Sequence, residues 1–169
     1  MKARCAVAGL ILVAVPALFL SLPHSAAAVV RADKVLVIKN EKCLVLLNHG
    51  AILKSYKVAF GRNPGRKTRR GDGRTPEGSY IVDGRNPASR FHKALHLSYP
   101  NASDVVKSRV SGVPPGGNIM IHGLPAEFDD VGPLHAARNW TRGCIAVSNA
   151  EMDEIWQLVP DGTPVEILP

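Results

Sequence analysis

The sequence predicts a β-rich α+β fold in a single domain, with one or two short helices packed on the strands. Three observations carry this expectation. Short apolar runs recur between residues 34 and 60, each ended by a turn containing Asn or Gly. Residues 61–78 hold Gly61, Pro64, Gly65, Gly71, Gly73, Pro76 and Gly78, too many breakers for long regular structure. One later segment, 149–158, combines helical periodicity with start and stop signals.

Taken in order, residues 1–28 stand apart from the fold. Lys2 and Arg4 precede an apolar run to about residue 22, and Ser25-Ala26-Ala27-Ala28 supplies small residues. Charged start, apolar middle and A-x-A-like end read as a secretory signal peptide. Cleavage is expected after Ala28, with Ala32 as the alternative. Left uncleaved, the run would be the chain's one contact with a membrane, although it is short for a span and holds Pro16. Residues 29–169 then form the domain, long enough for a real core and without a linker or repeat to divide it.

In that domain, Val35-Leu36-Val37-Ile38, Cys43 to Leu47 and Ala51 to Phe60 read as an antiparallel meander. Ser79 to Val82 is strand-like, and Asn86-Pro87 is expected to open a turn. Ala94 to Tyr99 alternates as a strand, and residues 101–111 suit a short helix. A Pro- and Gly-rich turn at 113–117 leads to an apolar strand, Asn118 to His122. For the helix at 149–158, Ser148 and Glu151 make a capping box, and Met152, Ile155, Trp156 and Val159 share a face. Pro160-Asp161-Gly162 stops it, and residues 164–168 close the domain as a strand.

The chain carries 21 Lys and Arg against 14 Asp and Glu. Arg62, Arg66, Lys67, Arg69, Arg70 and Arg74 crowd one loop, opposed there by Asp72 alone. Such a patch attracts anions. Export argues against nucleic acid and for carboxylate- or phosphate-rich wall polymers, with a solvated loop as the plain alternative. Past the leader, Cys43 and Cys144 remain, and Cys43 reads as a strand residue.

Chemistry concentrates in Thr141-Arg142-Gly143-Cys144, just before the last helix. A thiol needs a base to react near neutral pH. His122, at a strand end beside Gly123, is the candidate, with His135 the second choice. Amides around Gly143 and Cys144 are candidates for holding an oxyanion. Taken singly, Cys144 and His122 each read more readily as core residues. Arg142 suits a carboxylate, which guanidinium grips bidentately. His92 and His96 fall on one face of a strand and suit pocket or structural roles. No metal site is expected there, because no cysteine or acidic cluster joins them. Trp140 reads as packing beside the box, and Asp129-Asp130 as a polar loop.

The segment IMIHGL…NWTRGCIAVSNAEMDEIW resembles the L,D-transpeptidase catalytic-domain family (YkuD-type). The family's His-Gly pair matches His122 and Gly123. Its Ser/Thr-x-Gly-Cys box matches Thr141, Gly143 and Cys144, and its Thr-Pro-x-Gly element matches Thr75, Pro76 and Gly78. The likeness runs from about residue 34 to 169. Two positions depart from the commoner pattern: Arg142 stands where many members have histidine, and Ala146 where arginine is frequent. With FHKALHLSYPN, these are similar to a subgroup of murein amidases that release lipoprotein from diaminopimelate.

The resemblance implies an L,D-transpeptidase-like mixed β-sandwich or barrel. It implies an exported enzyme of the periplasm or cell envelope that needs no cofactor. Cys144, His122 and Gly143 would be catalytic, with Thr141, Gly123, Arg142, His96 and His135 toward substrate. A thioacyl enzyme would form at a diaminopimelate carbonyl of a peptidoglycan stem peptide. An amine acceptor makes a transpeptidase. Water makes a hydrolase or amidase, with a wall-linked lipoprotein as one substrate. A catalytic Cys144 must be a free thiol. Two rival readings stay open: a non-catalytic wall-binding module, and an exported cysteine peptidase of another fold.

Overall fold

The computed structural model describes residues 30–169, so the leader expected at 1–28 lies outside the described residues. The meander is present as β1 (Lys34–Ile38), β2 (Cys43–Asn48) and β3 (Ala51–Lys57), paired antiparallel in sequence order. Val35 and Val37 of β1 alternate into the core with Leu44 and Leu46 of β2, as the two-residue period of a half-buried strand requires.

Residues 61–77 form the irregular loop the glycines and prolines demand. After it, β4 (Gly78–Ser89) runs far past the turn expected at Asn86-Pro87. Pairing with β5 (His92–Leu97) continues as far as Ser89↔His92, with a register shift between Asn86 and Ser89. Pro87 sits in that irregular stretch, where its missing N–H breaks no regular ladder bond. The chain therefore reverses at Arg90-Phe91. This displacement has consequences for the site.

Helix α1 (Ala102–Ser111) starts on an Asn101–Asp104 capping box. The strand expected at 118–122 is reduced to β6 (Met120–His122). A 3-10 segment, Ala126–Ala137, holds the Asp129-Asp130 pair that reads as a loop from sequence. β7 (Ile145–Ala146) follows the cysteine box, and α2 (Asn149–Leu158) has the expected Ser148–Glu151 capping box. Met152 and Ile155 of α2 and its C-cap Val159 are buried, and Trp156 packs on the core's rim. β8 (Pro164–Leu168) ends the domain.

All eight strands join in one mixed sheet of order β3-β2-β1-β8-β4-β5-β6-β7. β8 lies parallel to β1 and antiparallel to β4. β6 and β7 are parallel, with Ile121↔Ile145 and His122↔Ala146 in register. The single-domain β-rich α+β expectation stands, with two α-helices.

Candidate active site

β6 carries Met120 and His122 on one face and the fully buried Ile121 on the other. Alternation thus aims the histidine away from the apolar interior, toward a cleft of about 1050 Å³. Cys144 precedes β7, next to β6 in the sheet, and lines the same cleft. So do Arg142, Trp140, Phe91 and Arg90.

Hydrogen bonds hold the cysteine box from every side. Thr141 Oγ1 accepts from the Gly143 amide at 3.0 Å and donates to the Cys144 carbonyl at 2.8 Å. The Thr141 amide donates to the Phe60 carbonyl at 3.0 Å, and Ala146 exchanges amide bonds with Ala59 at 2.9 and 3.0 Å. Val147 donates to the His122 carbonyl at 3.0 Å, tying the box to the histidine's own strand. Thr141 is therefore a structural fastener of the box, and the Gly143 amide is already engaged by it.

The Thr-Pro element runs beneath the box. Thr75, buried, accepts from the Gly61 amide at 2.9 Å. The Arg74 carbonyl lies so close to Gly143 that a Cβ there would stand 2.6 Å from its oxygen, at a φ of +132°. Only glycine suits that backbone and that contact.

His122 is 3% exposed. Its Nδ1 lies 2.7 Å from the Gly123 carbonyl. A carbonyl can only accept, so Nδ1–H donates and Nε2 of the neutral ring is left as the base. Gly123 cannot carry a side chain, because a Cβ would meet Asn149 Oδ1, itself bonded to the Leu124 amide at 2.7 Å. The imidazole packs against Phe91, 4.5 Å between centroids, and edge-on to Trp140 at 5.9 Å. Burial lowers the proton affinity of His122, and the charge of Arg90 lowers it further, against the Gly123 bond.

Cys144 is half-buried, and its Sγ lies 3.5 Å from the Asn118 carbonyl. Burial raises the thiol above its ordinary value, more than the Met120 backbone bond and the Lys67 charge lower it. Lys67 lines the cleft from the basic loop, 6% exposed, with Nζ 2.9 Å from Asp72 Oδ1. Both shifts favour a neutral thiol beside a neutral imidazole at rest.

Three expected residues fall elsewhere. His96 is not among the residues lining the cleft. Its Nδ1 is 2.5 Å from Asp83 on the neighbouring strand, which occupies it. His92 faces Asp153 of α2 at 2.7 Å. His135 is buried in the 3-10 segment, with Nδ1–H donating to the Gly132 carbonyl at 2.7 Å, and it does not line the cleft. Cys43 and Cys144 are both free thiols. Phe91, Arg90 and Lys67, absent from the sequence-based candidates, line the cleft with the expected pair.

The family model described as the L,D-transpeptidase catalytic domain matches residues 32–167. The chain belongs to the L,D-transpeptidase catalytic-domain family. It is 37% identical over 112 residues to the Escherichia coli K12 protein named "Putative L,D-transpeptidase YafK", covering 64% of this chain and 37% of that one. The helical cell shape determining protein Pgp2 of Campylobacter jejuni superposes with a TM-score of 0.61 at 32% identity, covering 79% of this chain and 46% of that one. An L,D-transpeptidase from Xylanimonas cellulosilytica shares the fold at a TM-score of 0.50 and 18% identity, covering 82% of this chain and 61% of that one. The chain thus spans less than half the length of YafK and of Pgp2.

Proposed function

We propose that this domain is an exported peptidoglycan-modifying enzyme that forms a thioacyl intermediate on Cys144. The observation that carries the reading is the His122–Gly123 bond, which leaves Nε2 as the acceptor in the cleft that Cys144 shares. His122 takes the thiol proton as sulfur attacks a diaminopimelate carbonyl in a stem peptide. The same proton then passes to the departing amine. With the Gly143 amide engaged by Thr141, the tetrahedral oxygen falls to the Cys144 amide. An amine or water then releases the acyl group. Arg142, exposed at the cleft, suits a substrate carboxylate. The compartment proposed for this chemistry is the periplasm or cell envelope.

The neutral resting pair has a kinetic consequence. His122 must be unprotonated to act, and its affinity for a proton is lowered. Turnover should therefore persist below pH 6.5, its ordinary value.

The experiment is incubation of the protein and its Cys144→Ala variant with tetrapeptide muropeptides and lipoprotein-linked muropeptides, resolving products by mass. Loss of all conversion in a folded variant is expected, and full conversion by it overturns the reading. A cross-linked dimer identifies an amine acceptor, a tripeptide muropeptide with a free diaminopimelate carboxylate identifies water, and a released lipoprotein fragment identifies lipoprotein as the departing amine. Sacculus binding without conversion by either protein would instead support a wall-binding module.

A further inference from the structure

Arg90 occupies the reversal between β4 and β5, with its guanidinium carbon 4.7 Å from the centroid of the Phe91 ring. Phe91 packs in turn on the His122 imidazole at 4.5 Å. The Phe91 ring thus touches both the guanidinium and the imidazole on the cleft wall. Arg90 has no ion-pair partner among the described residues. The cleft lining holds no acidic side chain either, so Arg90 faces a space where an incoming anion would be its first counter-charge.

The other charges around His122 are differently placed. His92 and Lys93 on β5 are both held by Asp153 of α2, at 2.7 Å each. Lys67, across the cleft, is neutralised by Asp72 at 2.9 Å. Arg70 and Arg142 line the cleft and are exposed, as Arg90 is, but no ring contact links either to the imidazole. Arg90 is the cation coupled to the histidine through packing.

We propose that Arg90 is a positioning residue that couples His122 to a carboxylate: a free carboxylate of the bound chain pairs with the guanidinium seated on Phe91 and so changes the charge that the imidazole, packed on the same ring, experiences. This rests on the reading of His122 as the base for Cys144. Arginine suits the task because its planar fork binds carboxylate bidentately while stacking on an aromatic ring. In the empty cleft, water and salt screen its charge. A seated chain displaces water and strengthens both the new pair and its effect on the imidazole. No bond is made or broken at Arg90. The thiol proton still goes to Nε2, and the substrate carboxylate is unchanged at the end. The substrate class that follows is an acidic peptide whose carboxylate near the scissile carbonyl is free rather than amidated.

The test follows the His122 ring proton by NMR against pH in the wild type, Arg90→Gln and Arg90→Lys, at low and high salt. Each is titrated alone, with meso-diaminopimelate, and with its diamide. In Arg90→Gln, the His122 midpoint is expected to rise by about half a pH unit, roughly threefold in proton affinity. Arg90→Lys, which keeps the charge, should hold the wild-type midpoint. Meso-diaminopimelate should raise the midpoint in the wild type, less so at high salt, and leave Arg90→Gln unmoved, while the diamide does nothing. An unchanged midpoint in Arg90→Gln, no response in the wild type, or an equal response in both overturns the proposal. These titrations do not depend on turnover, so failure of Cys144 acylation on muropeptides would sink the enzymatic reading separately.

Discussion

A Cβ on Gly143 would stand 2.6 Å from the Arg74 carbonyl oxygen and 3.2 Å from Ile119 Cδ1. Gly143→Ala is therefore expected to push the box off the Thr-Pro strap. The cost is about 2–4 kcal/mol, from a disfavoured positive φ plus overpacking. Its denaturant midpoint should fall, and alkylation of Cys144 by iodoacetamide should change at least tenfold in rate. A variant that labels and unfolds like the wild type would remove the strap from the account. At this scale, the placement of Cys144 and His122 in one cleft was legible because the boxes that carry them are each local in the chain. Phe91 and Arg90 were not. Asn86-Pro87 looks like the turn, and nothing local says that β4 continues through Pro87 and reverses four residues later. His96 and His135 lie outside the cleft lining for the converse reason, since a histidine's partner is set by tertiary placement that spacing does not encode.

The basic loop is better described by its one acid than by its six bases. Asp72 accepts from Lys67 Nζ and from the amides of Thr68, Arg69 and Arg74, at 2.8 to 3.1 Å. Burial works against ionising it, but these donors outweigh burial and lower it to about 2. Asp72→Asn leaves Lys67 buried without a counter-charge, and about 2–4 kcal/mol of stability should be lost, read as a lowered urea midpoint. An unchanged midpoint would mean the loop is ordered by something else. From sequence the loop reads as an anion-attracting patch or a solvated stretch, because a lone aspartate among arginines gives no sign that it is an internal hub. Helix α2, by contrast, was readable end to end: cap, apolar face and stop all lie within the 15 residues 148–162. β7 gave no such signal, since its two residues owe their conformation to Ala59 and His122 across the chain.

For the whole molecule, the shifted groups fix how stability responds to pH. His122 binds protons less readily when folded than when unfolded. Stability should therefore fall as pH drops below its ordinary 6.5. A second loss follows between 3.8 and about 2, as Asp72 protonates. On the alkaline side, burial raises Tyr56, Tyr80 and Tyr99, the last to about 12. Stability should fall again as pH rises past 10, where unfolded phenols ionise. Guanidinium midpoints at about pH 5, 8 and 10.5 should thus be highest in the middle, and a monotonic trend would contradict this. The strand and helix inventory was legible at this scale, but the sheet order was not, because hydrophobic runs do not say which strands become neighbours. That order matters most at β8. In the strand order, the β3-β2-β1 half and the β4-β5-β6-β7 half are joined through this strand, with bridges from Ala59 to Ala146 and from Gly61 to Thr141 at the far end. Residues 164–168 are made after all the others in the sheet, so they act as a keystone set last. His122 and Cys144 both lie in the second of these halves, so that half can bring thiol and imidazole together, but it gains its place beside β1 only once this final segment is in the sheet.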